Sequence, residues 1–246
     1  MDPWAAAVLG AVVAVAVMLL GAAVLCCQCY RELDRRVFPR ARLSALLLPG
    51  GLHTGDLVFF DSAAFSLVIK WTTRSPFSHV GVVVLVRGEP HLAEFVDPMS
   101  LYCRRAGVPA RGARVAAGDG FALPGGVSLW PLARRLRDYP GRFFVARLSA
   151  PLAPPQRAAL VRAALNETRG FARVADLLGS ACGLWRPRTL HCFQFAARLL
   201  NAAGVPAVPL PATRPVAPVR LLSRADRLPL AGGRRYSVPA EIAYDI

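Results

Sequence analysis

Two short segments, far apart in the chain, carry the residue types of a thiol nucleophile and its base. His79 ends Ser75-Pro76-Phe77-Ser78-His79 and stands directly before the apolar run Val80 to Val86. Cys192 follows Thr189-Leu190-His191 and opens Phe193-Gln194-Phe195-Ala196-Ala197. A cysteine attacks as its thiolate, so its pKa of about 8.5 has to fall. A helix N-terminus and a neighbouring imidazolium both lower it. Cys192 is predicted in the first turn of a helix reaching Ala203, stopped by Gly204 and Pro206. Its face Phe193, Ala196, Ala197 and Leu200 would pack the helix down and fix the sulfur. A base needs a rigid mount and one free ring nitrogen, and the mouth of a buried strand offers His79 both. Each residue alone also has a plainer reading. A buried cysteine is a small hydrophobe, and a lone histidine at a strand end is a hydrogen-bonded filler.

A third group should orient the imidazole through its other nitrogen. Side chains alternate along strands. With Arg87-Gly88-Glu89-Pro90 as the turn, Val86 faces His91 and Val83 faces Glu94. Glu94 then shares the face of His79, whereas His91 and Asp97 do not. Val83 lies roughly 13 Å along the strand from His79, so Glu94 is favoured by face and opposed by reach. Asp56, in Gly55-Asp56, is read as a turn residue whose carboxylate accepts backbone N–H groups. Trp71, Phe77, Trp130 and Trp185 could line an acyl-chain groove, but aromatic residues are core by default.

The elements that must position these groups follow from pattern. Leu57 to Phe60 is a strand after the Gly55-Asp56 turn, and Ala63 to Thr73 is a helix. Val80 to Val86 is a central buried strand, and His91 to Val96 returns beside it. Tyr102 to Gly126 reads as a long loop with one short strand. Leu129 to Asp138 reads as a helix, whose Arg134-Arg135-Leu136-Arg137 run is a solvated face. Arg142 to Leu148 is a strand. Pro154 to Thr168 is an amphipathic helix opened by Pro154-Pro155. Beyond Val205, five prolines from Pro206 to Pro218 mark an extended arm outside the core, with Tyr236 to Ile246 returning as an edge strand.

Apolar residues make up 54% of the 246, and the excess lies at the N-terminus. Ala5 to Leu25 carries no charge, long enough as a helix to cross a hydrocarbon core of roughly 30 Å. A cleaved signal peptide would need a basic start, and Met1-Asp2-Pro3-Trp4 has none. Arg31, Arg35, Arg36, Arg40 and Arg42 follow the run, which places the body in the cytoplasm. Cys26, Cys27 and Cys29 at that boundary are either palmitoylated or unmodified. Cys103, Cys182 and Cys192 are too scattered for a disulfide framework or a zinc site. The net charge of +15, with Lys70 the single lysine, favours anionic headgroups. The arginines are scattered and no nucleic-acid motif accompanies them, so nucleic acid is not an expected partner. Asn166-Glu167-Thr168 is a glycosylation sequon, silent in a cytoplasmic body. The chain therefore divides into an anchor (1–30), a basic juxtamembrane segment (31–50, helical at first), a catalytic body (51–205) and a Pro/Arg-rich arm (206–246).

Gly55-Asp56-Leu57-Val58 followed by Ser78-His79-Val80-Gly81-Val82-Val83 resembles the opening of the permuted NlpC-type papain-like family. These are the YiiX/YaeF-like amidases, with bacterial and poxviral members. Histidine before cysteine is the reverse of the order in most papain-like enzymes. In the family a Glu follows on the next strand, and a cysteine at a helix start comes much later. Glu94 in Leu92-Ala93-Glu94-Phe95 and Cys192 match those positions, and the resemblance spans about 54 to 204. Gly170 to Gly179 also resembles a family segment, with Phe171 and a displaced Asp176. Phe193-Gln194 replaces the usual Ser-Glu, and the 104–126 insert, the tail and the anchor have no clear counterpart. The resemblance implies an α+β fold, a small antiparallel sheet with packed helices, and the uncharged N-terminal run adds one transmembrane helix before it. The resemblance implies Cys192 as nucleophile, His79 as base and then acid, Glu94 as orienter, and no metal or organic cofactor. The family is similar in its permutation to lecithin:retinol acyltransferases. The expected function is cleavage or transfer of an acyl group through a thioacyl intermediate, on lipid or lipid-modified substrates. A catalytically silent membrane scaffold or virion protein with the same fold is the alternative.

Overall fold

A computed structural model of the chain describes residues 4, 13, 17–18, 21, 38–62, 75–96, 115–117, 120–122, 126–137, 139, 141–167, 170–171, 189–211 and 221–245. In chain order these form β1 (Arg40–Arg42), α1 (Leu43–Leu47), β2 (Leu57–Ser62), β3 (His79–Val86) and β4 (Glu89–Phe95). There follow β5 (Val115–Ala117), β6 (Gly120–Ala122), β7 (Val127–Pro131), α2 (Leu132–Arg137), β8 (Gly141–Ala146) and α3 (Pro154–Leu165). The series closes with β9 (Gly170–Phe171), β10 (Thr189–Leu190), α4 (Cys192–Ala202) and β11 (Ala240–Ala243).

The expected α+β architecture is present, but its sheet is not small. Among the described residues nine strands run in the order β1-β11-β8-β2-β3-β4-β7-β6-β5, with β9 and β10 as a separate parallel pair. The pairs of the main sheet are antiparallel except β1 with β11. Helices cover both faces, which is why β2, β3 and β8 are near-continuous apolar runs. On one face Phe59, Val80, Val82, Val84, Phe95 and Phe144 pack with α3 and α4. On the other, Val58, Phe60, Val83, Leu92 and Phe143 pack with α1 and α2.

The hairpin that carries the site is tighter than its sequence suggests. The turn is the two residues Arg87 and Gly88, with φ of 52° and 86°. Positive φ at both central positions is the type I′ turn, whose twist matches that of paired strands and which glycine favours. Strand pairing therefore starts at Val86 and Glu89, Val84 faces His91, and Gly81 faces Glu94. The expected pairing of Val83 with Glu94 is displaced by two residues. A slip of two leaves every side chain on its expected face.

Other expectations are corrected. Leu129 to Pro131 belongs to β7, and the helix begins only at Leu132. The loop expected over Tyr102 to Gly126 contains two short strands, β5 and β6, joined as a hairpin. The juxtamembrane stretch opens, where described, on β1 and then α1. Helix α3 is not amphipathic: Leu160 and Ala164 are its buried positions, and arginines and alanines mix around its circumference. The described part of the C-terminal segment, 206–211 and 221–245, is not an arm outside the core. Leu210, Leu222, Ala225, Leu228, Leu230 and Tyr236 lie in the main core, and β11 runs between β1 and β8. Proline lacks a donor but does not stop the leucines beside it from burying apolar area, at roughly 1.5–3 kcal/mol each. Tyr236 fastens this segment by donating its hydroxyl to the Gly55 carbonyl at 2.8 Å. The helix expected over Ala63 to Thr73, Trp71, Trp185, Cys26, Cys27, Cys29, Cys103, Cys182 and most of the run Ala5 to Leu25 lie outside the described residues. Within that run Val13, Val17, Met18 and Gly21 are helical. Among the described residues no helix is long and apolar enough to cross a membrane.

Candidate active site

The three residues singled out by type and order meet at one end of the sheet. His79 is the first residue of β3 and pairs with Phe60, the neighbouring position on β2. Its mount is firm, because Ser78 donates both its N–H (2.8 Å) and its hydroxyl (2.9 Å) to the Phe60 carbonyl. His79 Nε2 lies 2.8 Å from Glu94 Oε2. The type I′ turn makes this contact possible, since it sets Glu94 opposite Gly81 and diagonal to His79. Gly81 leaves room for the Leu92 side chain beside this pair: a Cβ there would lie 2.7 Å from Leu92 Cδ1.

Cys192 comes from the other face of the sheet, at N1 of α4, and is buried. Its helix is held down by Phe193, Phe195, Leu199 and Leu200, all buried, with Phe195 packed on Phe95 at 5.3 Å between ring centres. The Cys192 side chain reaches the His79 ring closely enough to raise its pKa. With Nε2 turned to Glu94, the nitrogen left for the sulfur is Nδ1. Gln194, wholly buried at N3, accepts the His191 N–H at 2.9 Å. This is one arm of a capping box, which Glu or Gln performs equally well. The departure from Ser-Glu at this point therefore preserves the helix start, while Phe193 enters the core.

Glu94 is fully buried. Arg135 on α2 grips it with two bonds, Nε to Oε1 at 2.5 Å and Nη2 to Oε2 at 3.1 Å. Burial alone would raise the pKa of Glu94. The Arg135 charge first, and then His79, hold it down at about 2. Burial would lower the pKa of His79. The Cys192 sulfur, by charge and hydrogen bond, and then Glu94 raise it from 6.5 to about 9. The raised pKa favours the imidazolium form of His79.

Arg135 departs from its sequence-based expectation. The basic run around it predicts a solvated face, yet only Arg134 and Arg137 are exposed. The signal for burial is in the spacing: Leu132, Arg135 and Leu136 recur at i, i+3 and i+4, which is the apolar stripe of a helix. His91, excluded by parity, does lie on the other face, with Nδ1 3.1 Å from the Glu89 carbonyl. Asp56 is the turn residue that its place after Gly55 predicts. Its carboxylate accepts the N–H groups of His53 (2.8 Å) and Leu148 (2.7 Å), and burial pushes its pKa up to about 6. Phe77 and Trp130 are core residues. Among the described residues no group of three or more His, Cys, Asp or Glu side chains is arranged to hold a metal ion.

No protein-family model matches the chain, and no curated protein matches it. Among solved structures, the chain is similar to the metalloprotein YiiX from Escherichia coli O157:H7. The two are 16% identical and superpose with a TM-score of 0.42, over 78% of this chain and 97% of that one. At that level of agreement the likeness carries no argument, and function has to be read from the geometry of the site.

Proposed function

We propose that the protein is a cysteine acyl hydrolase or acyltransferase of permuted papain-like type, with Cys192, His79 and Glu94 as its triad. The observation that carries this is the convergence of the Cys192 side chain and the Glu94 carboxylate on the His79 ring, the carboxylate at 2.8 Å. The Cys192 thiolate attacks the carbonyl carbon of an amide or ester, forming a C–S bond. Charge develops on the carbonyl oxygen, and the Cys192 backbone N–H at the helix start is placed to receive it. Protonated His79 gives its proton to the departing amine or alcohol as the C–N or C–O bond breaks. Water, or an acceptor amine or alcohol, then attacks the thioester. His79 takes its proton, the C–S bond breaks, and the thiolate is restored. Glu94 keeps the ring oriented and stabilises its charge.

The uncharged run Ala5 to Leu25 and the arginines after it support a site tethered at a membrane, with lipid or lipid-modified acyl donors as the substrate class. The test is a fluorophosphonate-type or acyl activity probe on the detergent-solubilised full chain, beside Cys192→Ala and His79→Ala. Labelling confined to the wild type is expected. Equal labelling of all three would exclude the triad and leave a silent scaffold as the reading.

The pH profile offers a second measurement. His79 has its pKa raised in the folded protein, so its proton is fully present below about 6.5 and is lost as pH rises through about 9. Turnover needs that proton for the leaving group, so kcat/KM is expected to fall on the alkaline side near pH 9. Glu94→Gln removes one cause of the raised pKa and is expected to move this limb to lower pH. A limb that stays put in Glu94→Gln would disconnect Glu94 from the base.

A further inference from the structure

We infer that Arg135 is a positioning residue of this site, clamping the Glu94 carboxylate in plane and, through it, orienting the His79 ring toward Cys192. The inference rests on the triad reading and adds a residue to it. A guanidinium that meets both oxygens of a carboxylate fixes its plane as well as its position. Here Arg135 Nε and Nη2 take Oε1 and Oε2 respectively, and Oε2 is also the oxygen that meets His79 Nε2. The carboxylate cannot rotate away from the histidine without breaking both guanidinium bonds.

The clamp is itself braced. The Arg135 guanidinium lies 4.9 Å from the Phe60 ring centre and 5.3 Å from that of Tyr139. Phe60 in turn packs on the His79 ring at 5.2 Å and on Tyr139 edge-on at 5.0 Å. One ring thus touches both the clamp and the base. The side chain of Arg135 is 5% exposed, while its neighbours Arg134 and Arg137 are exposed, so burial is particular to this arginine and not a property of the basic run.

Charge balance gives the clamp its consequence. Guanidinium and carboxylate cancel, so the site stays neutral overall whether the proton between His79 and Cys192 sits on nitrogen or on sulfur. Without the guanidinium the remaining three carry a net negative charge, and protonating Glu94 removes it. Among the described residues the groups facing Glu94 are His79 from β3, Arg135 from α2 and, at its carbonyl, the Ser128 hydroxyl from β7 at 3.5 Å. Arg135 supplies the cation in this set that does not titrate in the working range. Lysine would keep the charge but not the planar fork.

The test is the rate at which iodoacetamide alkylates Cys192 in the detergent-solubilised full chain as pH is varied. Mass spectrometry of the Cys192 peptide separates it from the other five cysteines. Arg135→Met is expected to introduce an acid limb between about pH 4 and 6, with alkylation at pH 5 slowed about tenfold relative to the wild type. Arg135→Lys should fall between the two. In a Glu94→Gln chain, Arg135→Met should add no such limb, because no carboxylate remains to be protonated. A folded Arg135→Met protein, judged by near-UV circular dichroism, with a wild-type profile would overturn the inference. Should that variant not fold, Arg135→Lys decides: an intermediate limb supports the clamp, and a wild-type profile refutes it. A wild-type Cys192 that reacts like an ordinary thiol at every pH would remove the triad and the clamp together. That result is distinct from a reactive wild type with an insensitive variant.

Discussion

Cys192→Ala is expected to reduce kcat on an acyl ester about 10⁶-fold, His79→Ala nearly as much, and the double variant no further. In the proposed mechanism His79 acts only through the sulfur. Its proton leaves with the amine or alcohol once a C–S bond exists, and its charge stabilises the thiolate before that. With no sulfur the histidine has nothing to activate. With no histidine the thiol loses its neighbouring cation. Steady-state turnover of a fluorogenic acyl ester by the three folded variants is the measurement. Losses that multiply in the double variant would mean that the two residues work independently, and the proposed pair would fail.

Glu94→Ala is expected to destabilise the fold by about 3–5 kcal/mol, lowering the melting temperature by about 10 °C. Glu94 is fully buried and satisfies two donors of Arg135 and one nitrogen of His79. Its removal leaves a buried guanidinium facing an imidazolium across an empty site. The low pKa of Glu94, held at about 2, sets the sign of its pH dependence. Its stabilisation is fully present above about 4.5 and is lost as pH falls toward 2. Arg135→Met in the same chain removes the stranded charge and should recover much of the loss, without restoring turnover. Urea unfolding of the two variants at pH 7 and pH 3 would decide it. A Glu94→Ala protein as stable as the wild type at pH 7 would show that the pair contributes no net stability. A double variant no better than the single would show that the loss lies elsewhere.

Much of the site is legible in the sequence. Parity along β3 and β4 puts Glu94 on the face of His79, because side-chain alternation survives any slip of two. A turn of four residues leaves the carboxylate too far along the strand, whereas the two-residue turn at Arg87 and Gly88 brings it diagonal to the histidine. Asp56 is legible as a backbone acceptor from its place after Gly55, but its second partner, Leu148, lies far along the chain and has no local signal. Arg135 is obscured because a run of arginines outweighs the i, i+3, i+4 spacing with Leu132 and Leu136. The prolines between 206 and 218 suggest an extended arm, while the leucines around them are what the core takes in.

By itself the chain determined which residue types could react, their order, the helix start at Cys192 and the faces of the central hairpin. These rest on interactions over a few residues: strand alternation, helix capping and turn preference. Tertiary structure alone decided that the sulfur from one face of the sheet meets the histidine at its end, and that Arg135 turns inward to Glu94. It also decided that the C-terminal segment closes the sheet between β1 and β8. Those outcomes depend on register and on partners brought together through space, where a burial cost is met only once the matching charge or apolar surface has arrived from elsewhere in the chain.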